Sequence, residues 1–418
     1  MSKLNSLKRI TTIAGFVMGI GTGGGLLAQP SEGHGNSDRA PIQPPGHARP
    51  PFRLNTDWAM QPLATTSPTG LIPSAVRKFY GFDLIANTGA GQIIGIVTAF
   101  DNPNVEADLG VFDTKFALAT CTTANGCFKK IYATGVKPAT DATWALETSL
   151  DVQWAHALAP AAKIYLVEAA TNSIDDLMRA VDVAVQNGAS VVSMSFGSVE
   201  YSAEINYDSH FYPAKVTFIA ASGDSGTGAS YPAASRYVLA VGGTTPTLGT
   251  NNVYVSETSW SGSGGGYSKY ELMPSYQSGL PVPFATSFRS LPDVAFIADP
   301  AKGFSVYTSV PYGGLTGWFQ VGGTSGGTPQ WAALAAIANS MRVAAAKQVM
   351  GATATATLPY LVYTLAKPAV YATNYHDITN GTNGTCGATC TAAAGYDYVT
   401  GLGSPKANAV INSLVAQP

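Results

Sequence analysis

The sequence predicts an α/β protein: one doubly wound, mostly parallel twisted sheet with helices on both faces. Three observations carry this expectation. Continuous apolar, β-branched runs occur at 92–100 ("QIIGIVTAF"), 162–169, 189–197, 216–223 and 237–243. Such runs, apolar throughout rather than alternating, are what parallel strands covered on both faces require. Helical patterns at 143–158 and 173–187 separate them, and no internal repeat is visible. Strands alternating with helices on this scale build a single parallel sheet wrapped by helices.

The remaining elements follow in order. Residues 1–28 read as a secretory signal peptide. Lys3, Lys8 and Arg9 precede an apolar run from Ile10 to Leu27, no acid occurs before Glu32, and Ala28 suits cleavage. A membrane anchor is the alternative, although repeated glycines weaken a spanning helix. Residues 29–66 ("PIQPPGHARPPF" within them) are a Pro/Gly-rich linker or short propiece, and 67–418 form the domain. "LIPSAVRKFYGF" opens it with a short helix. A helix is expected at 328–341 with Pro329 near its first turn, and a last one at 404–416.

Composition narrows the function classes. The chain is 46% apolar, 11% charged and carries a formal charge of −2, with Lys and Arg scattered. No basic stripe marks a nucleic-acid partner. A surface poor in ionisable groups suits an acidic medium, where charge pairs are lost as carboxylates protonate. The four cysteines, Cys121, Cys127, Cys386 and Cys390, allow three disulfide connectivities, of which the two short loops 121–127 and 386–390 are the natural choice. In an exported chain these suit disulfides, and neither spacing matches a zinc site.

"VGGTSGGTPQWAALAAIANS" (321–340) places Ser325 in a Gly-flanked turn before a helix. Glycine permits close approach of a substrate backbone, and a helix N-terminus favours developing negative charge. A serine capping a helix would look the same. The segment also fits G-x-S-x-G, but that fold needs an acid and then a histidine after the serine. No Asp or Glu lies between Ser325 and His376, the only later histidine, which excludes it. Asp101, His156 and Ser325 stand in the chain order of a subtilisin triad, yet His156 sits near the end of its helix.

Glu147 occupies the start of that helix, with Asp151 four residues on, so the two share a face while His156 points away. Two carboxylates on one face repel when both ionise; one pKa rises and the pair holds one proton over part of the acidic range. Such a pair can take a proton from a hydroxyl and return it to a leaving amine. Solvated acids in a first helical turn are the plainer alternative. Asp224, in "AASGDSGTG", ends a buried strand in a Gly-flanked turn. It is either a turn former or, kept neutral, a hydrogen-bond donor to an oxyanion.

Together E-x-x-x-D at Glu147 and Asp151, S-G-D-S-G at Asp224 and G-T-S at Ser325 resemble the sedolisin family of serine-carboxyl peptidases, which have a subtilisin-like fold. The resemblance runs from about residue 66 to 415 and includes "WSGSGGGYSKYELMPSYQ", "RSLPDVAFIADP" and "ALAPAAKIYLVEA". It implies Ser325 as nucleophile, Glu147 as general base and then acid, Asp151 as its proton-sharing partner, and Asp224 as oxyanion donor. It also implies one structural calcium ion held by Asp377, the carbonyls of Ile378, Ala393 and Gly395, and Asp397. Hard oxygen ligands of this mix suit calcium, and these are the two acids that follow Ser325.

Family members generally carry a large N-terminal prodomain, for which 29–66 leaves no room. Some also carry a first-strand acid and a Trp near the third strand, where this chain has Thr98, with Asp101 three residues on, and Phe196. The expected protein is a secreted, monomeric endopeptidase acting on proteins or peptides at acid pH, with no nucleic-acid partner and no membrane association after signal removal. The alternatives are a catalytically impaired binding or surface protein on the same fold, and a subtilisin-like enzyme using His156.

Overall fold

The computed structural model describes residues 45–56, 63–212, 215–278 and 287–418, all within one unit, Pro41–Pro418. The expected signal peptide and residues 29–44 lie outside the described residues. The strands are β1 Arg53–Leu54, β2 Ile93–Ala99, β3 Phe128–Tyr132, β4 Lys163–Ala169, β5 Val191–Met194, β6 Thr217–Ala221, β7 Val238–Leu248, β8 Tyr254–Ser259, β9 Val294–Ile297, β10 Phe304–Tyr312 and β11 Leu315–Gly322. The principal helices are α1 Pro73–Tyr80, α2 Val105–Phe116, α3 Ala142–Leu158, α4 Ile174–Gln186, α5 Thr324–Ala344 and α6 Ala407–Ala416.

The main sheet has eight strands, in the order β8-β7-β6-β5-β2-β4-β3, with β9 also paired to β7. Its pairings are parallel except β7 with β8. Ile94 and Ile96 of β2 join a core with Leu146, Leu150 and Trp154 of α3 and Trp331 of α5. Val97 and Ala99 of the same strand join the opposite core with Leu177, Met178 and Val181 of α4. This period of two places helices on both faces and explains why the strands read as unbroken apolar runs. A second, four-stranded antiparallel sheet contains β1, β11 and β10, with Ala64–Thr65 also paired to β11. Among the described residues no helix is long and apolar enough to cross a membrane.

The five expected strands and the expected helices are present, with shifted ends. One shift matters chemically. The helix expected at 328–341 begins at Thr324, so Ser325 lies in its first turn and Pro329 inside it. A proline there cannot bond the carbonyl four residues back, that of Ser325. The Ser195 hydroxyl oxygen lies 3.4 Å from that carbonyl. Helix α2, strand β3 and the strands within 244–312 go beyond the sequence reading, whereas the apolar strand expected at "GWFQV" just before Ser325 is β11; β3 reads "FKKIY", whose lysines fit a sheet edge.

Candidate active site

The sheet's carboxyl ends build the site, as in other open α/β sheets. Strand β5 runs out into Ser195-Phe196-Gly197, and β6 into Gly223-Asp224. Asp141 caps α3 by accepting from the amides of Thr143 (2.9 Å) and Trp144 (3.0 Å), which fixes the first turn below Glu147. Helices α3 and α5 pack against each other, so Glu147, Asp151 and Ser325 face one shared, fully buried space.

The acids are therefore not solvated first-turn residues. Ser195 Oγ donates to Asp151 Oδ1 at 2.7 Å and reaches the Ser325 carbonyl, joining the two helices. Asp224 Oδ1 accepts from the amide (2.8 Å) and hydroxyl (2.9 Å) of Thr324, beside the serine. This leaves Ser325 Oγ, both oxygens of Glu147, Asp151 Oδ2 and Asp224 Oδ2 buried without a hydrogen-bond partner. Buried polar groups are ordinarily paired, so five orphans around one point require a reason.

Burial raises Glu147 well above its ordinary value. The Asp151 charge adds to this, the nearby Ser325 hydroxyl opposes it, and Asp224 adds again. Ser325 is thus close enough to bias Glu147, although no closed hydrogen bond joins Ser325 Oγ to it; such bonds commonly tighten only when substrate binds. Burial also raises Asp151, against the Ser195 hydrogen bond. Both members rise, so the pair holds on to a proton more tightly than free carboxyls do. Asp224 is raised to about 7 by burial, opposed by its Thr324 bonds and by Arg53 and Arg49. It is therefore neutral in acid, with Oδ2 free to donate.

Gly323 makes room for this arrangement. Its φ is 106°, and a β-carbon there would collide with Asp224 Oδ2, with the Pro51 carbonyl oxygen at 2.5 Å and with Phe52 Cα at 2.6 Å. The sequence identified the four acid and hydroxyl groups but not Ser195, Thr324 or Pro51. Ser195 left a trace, a hydroxyl interrupting a buried apolar strand; Pro51, 274 residues from Ser325 in sequence, left none.

The groups set aside are engaged elsewhere. His156 Nε2 lies 2.7 Å from the Ala119 carbonyl and 3.4 Å from Asp113. Asp101 is paired with Lys130 (2.5 Å) and Lys137 (3.2 Å). Thr98 Oγ1 accepts from Thr148 Oγ1 at 3.1 Å and is not within the carboxyl pair. Cys121 is joined to Cys127 and Cys386 to Cys390. His156 does come close to the first pair in space, a proximity absent from the sequence, but those sulfurs are bonded to each other.

The calcium expectation falls on adjoining loops. The Gly395 amide donates to both Asp377 oxygens at 3.1 Å, and the Ala393 amide to Asp397 Oδ2 at 3.1 Å. Asp397 Oδ1 accepts from Val399 and Thr400 amides, both at 2.8 Å. Two carboxylates and neighbouring carbonyls are the hard donors calcium takes. In this conformation Asp397 is turned onto amides, so an ion would share Oδ2 with Ala393 and Thr400.

Comparisons with known proteins bear on the fold and the family. Residues 140–395, more than half the chain, match the Subtilase family. Kumamolisin of Bacillus sp. (strain MN-32) is 32% identical over 410 residues, covering 88% of this chain and 68% of that protein. Sedolisin of Pseudomonas sp. (strain 101) is 30% identical over 398 residues, covering 85% and 63%. The chain thus spans about two thirds of the length of these relatives. The solved structure of Pseudomonas sedolisin, a serine-carboxyl proteinase complexed with two molecules of pseudo-iodotyrostatin, superposes with a TM-score of 0.69 at 27% identity, over 83% of this chain and 98% of that one. A serine between two buried acids on a parallel sheet, and relatives at this identity and coverage, lead to one conclusion: the chain belongs to the sedolisin family of serine-carboxyl peptidases.

Proposed function

We propose that this peptidase is secreted, acts as a monomer, and hydrolyses internal peptide bonds of proteins at acid pH through an acyl-enzyme. One observation carries the reading: five unpartnered acid and hydroxyl oxygens are buried around the start of α5. An attacking hydroxyl, its base, the base's partner and an oxyanion donor would satisfy all of them at once.

Ser325 Oγ attacks the carbonyl carbon while its proton passes to Glu147. Asp151 shares that proton and is held by Ser195. The developing oxyanion receives the Ser325 amide and the neutral Asp224 carboxyl, a type of contact whose loss costs about 3–4 kcal/mol of transition-state stabilisation. Glu147 returns the proton to the leaving amine, and water then hydrolyses the ester with Glu147 as base. Calcium on Asp377, Asp397 and the carbonyls of Ile378, Ala393 and Gly395 would order the C-terminal loops and take no part in proton transfer.

The test is turnover of a denatured protein at about pH 4 with calcium present. Wild type cleaves it; Ser325→Ala and Glu147→Gln do not, while His156→Ala does. A folded wild type without activity would support the binding-protein alternative instead. Loss on His156→Ala with retention on Glu147→Gln would support a subtilisin-like mechanism.

A further inference from the structure

Apart from the catalytic space, the described residues border a cavity of about 850 Å³ between the stretch 275–278, the helix Leu358–Thr364 and the loop 394–396. None of the catalytic residues lines it. Voids left by imperfect packing are much smaller, and this volume lies within the ~300–1,000 Å³ usual for ligand sites. Five tyrosines form its walls: Tyr276, Tyr360, Tyr363, Tyr371 and Tyr396.

The rings are tied from behind. The Tyr276 hydroxyl donates to the Arg236 carbonyl (2.8 Å), Tyr363 to Asp293 Oδ1 (2.9 Å) and Tyr371 to Asp377 Oδ1 (3.0 Å). The Tyr363 ring centre lies 5.0 Å from that of Tyr276 and 6.2 Å from that of Tyr396. Arg289, buried and doubly bonded to Asp293 at 2.8 and 2.6 Å, sets its guanidinium 5.8 Å from the Tyr276 ring centre. Rings anchored at their hydroxyls lose little freedom when a ligand docks against them.

We propose that this cavity is a binding site for a neutral oligosaccharide, separate from the catalytic groups. The inference goes beyond the peptidase reading and does not depend on it. Three features select the ligand class. An aromatic face is the negative part of its quadrupole, and the C–H face of a sugar ring is its weakly positive, flat complement. Among the rings stand the Ser275 hydroxyl, the Lys367 ammonium and the Asp377 carboxylate, so the lining both donates and accepts. A sugar hydroxyl does both as well. A proline-rich peptide, another partner of aromatic-lined sites, has no N–H at its prolines and would leave the acceptors unmet. Lys367 and Asp377 are of opposite sign, so the lining favours neither an anion such as phosphate nor the organic cation that an aromatic cage takes.

The cavity and the cleft share one segment of chain. The Gly264 amide donates to the Gly223 carbonyl (2.7 Å), next to Asp224, and the chain runs from there through the strand Gly266–Leu272 to Ser275 and Tyr276. Two sources offer the required chemistry: a glycan carried by a substrate protein, and a polysaccharide around the enzyme.

The full chain carrying Ser325→Ala, so that nothing is cut, is titrated by calorimetry with calcium present. The probes are cellohexaose, xylohexaose, maltohexaose and chitohexaose, with decaproline, phosphate and choline as competitors for the assignment. At least one hexaose should bind with a Kd of about 1 mM or tighter. Tyr276→Ala and Tyr360→Ala, each checked for an unchanged melting temperature, should weaken it at least about tenfold, and Tyr360→Phe, which keeps the ring face, by no more than about twofold. If either alanine unfolds the chain, Lys367→Met at the exposed rim carries the test, and hexaose binding that it leaves unchanged overturns the site. With Ser325 restored, a glycoprotein substrate is compared before and after enzymatic removal of its glycans. A KM at least about threefold lower for the glycosylated form, lost in Tyr360→Ala, supports the site and assigns it to substrate glycans. Equal KM values with hexaose binding support it and assign it to polysaccharide. Absence of binding by all four hexaoses overturns the inference, as does binding that both ring alanines leave unchanged. So does binding of decaproline, phosphate or choline where no hexaose binds.

Discussion

In the proposed mechanism Asp224 carries the pH behaviour of the reaction. Its carboxyl is raised to about 7, first by burial. It is protonated and able to donate below that value and loses the donor proton as pH rises through it. Asp224→Asn keeps a donor at every pH, so the alkaline fall of kcat/KM near 7 should disappear, while Asp224→Ala should cost about 10²–10³ in kcat. A pH–rate profile of the three proteins checks this; an unchanged alkaline limb in Asp224→Asn would remove Asp224 from the mechanism. Gly323 is constrained just as closely, by a φ of 106° and by the oxygens around it. Gly323→Ala should cost about 1–3 kcal/mol of stability and nearly all activity, read by denaturant unfolding and peptide turnover.

Strand β5 and helix α5 meet near Ser195, which donates to Asp151 and lies 3.4 Å from the Ser325 carbonyl, four residues before Pro329. Its hydrogen bond lowers Asp151 against burial. Ser195→Ala should therefore raise Asp151 further and move the acid limb of the pH–rate profile to higher pH, with kcat down about tenfold. A drop in kcat without movement of that limb would assign Ser195 to packing alone. The loop carrying Asp377 and Asp397 makes a separate prediction. Calcium removal by a chelator, or Asp377→Ala, should lower the melting temperature by several degrees, on the order of 1–2 kcal/mol, and leave initial turnover at low temperature almost unchanged.

Across the molecule, several buried carboxyls rise. Burial takes Asp113 and Asp224 to about 7, Glu168 and Glu271 to about 8, and Glu204 to about 9. Asp101 goes the other way, because Lys130 and Lys137 together outweigh its burial. A carboxyl with a raised folded pKa gives its stabilisation fully below the ordinary value near 4. That contribution is lost as pH climbs through the folded value. Stability should thus fall between about pH 4 and pH 9, with a melting temperature higher by several degrees at pH 5 than at pH 8. Calorimetry across that range decides it, and a flat or rising curve would contradict the buried-acid account.

What the sequence determined by itself was the fold class and the chemistry-bearing groups. Parallel strands buried on both faces leave unbroken apolar runs, and Glu147 with Asp151 is a four-residue spacing that any helix turns into one face. Ser325 was legible from its glycines, and the later acids from their scarcity. The tertiary structure decided what depends on contacts distant in the chain. It placed Ser325 within the helix rather than before it, starting the helix at Thr324 with Pro329 inside. It buried the acids that a lone helix would expose to water, and so set their protonation. It also laid residues 46–55 over the nucleophile. Pairing between segments hundreds of residues apart follows from backbone register and shape, neither of which leaves a periodic mark in a Pro-rich stretch.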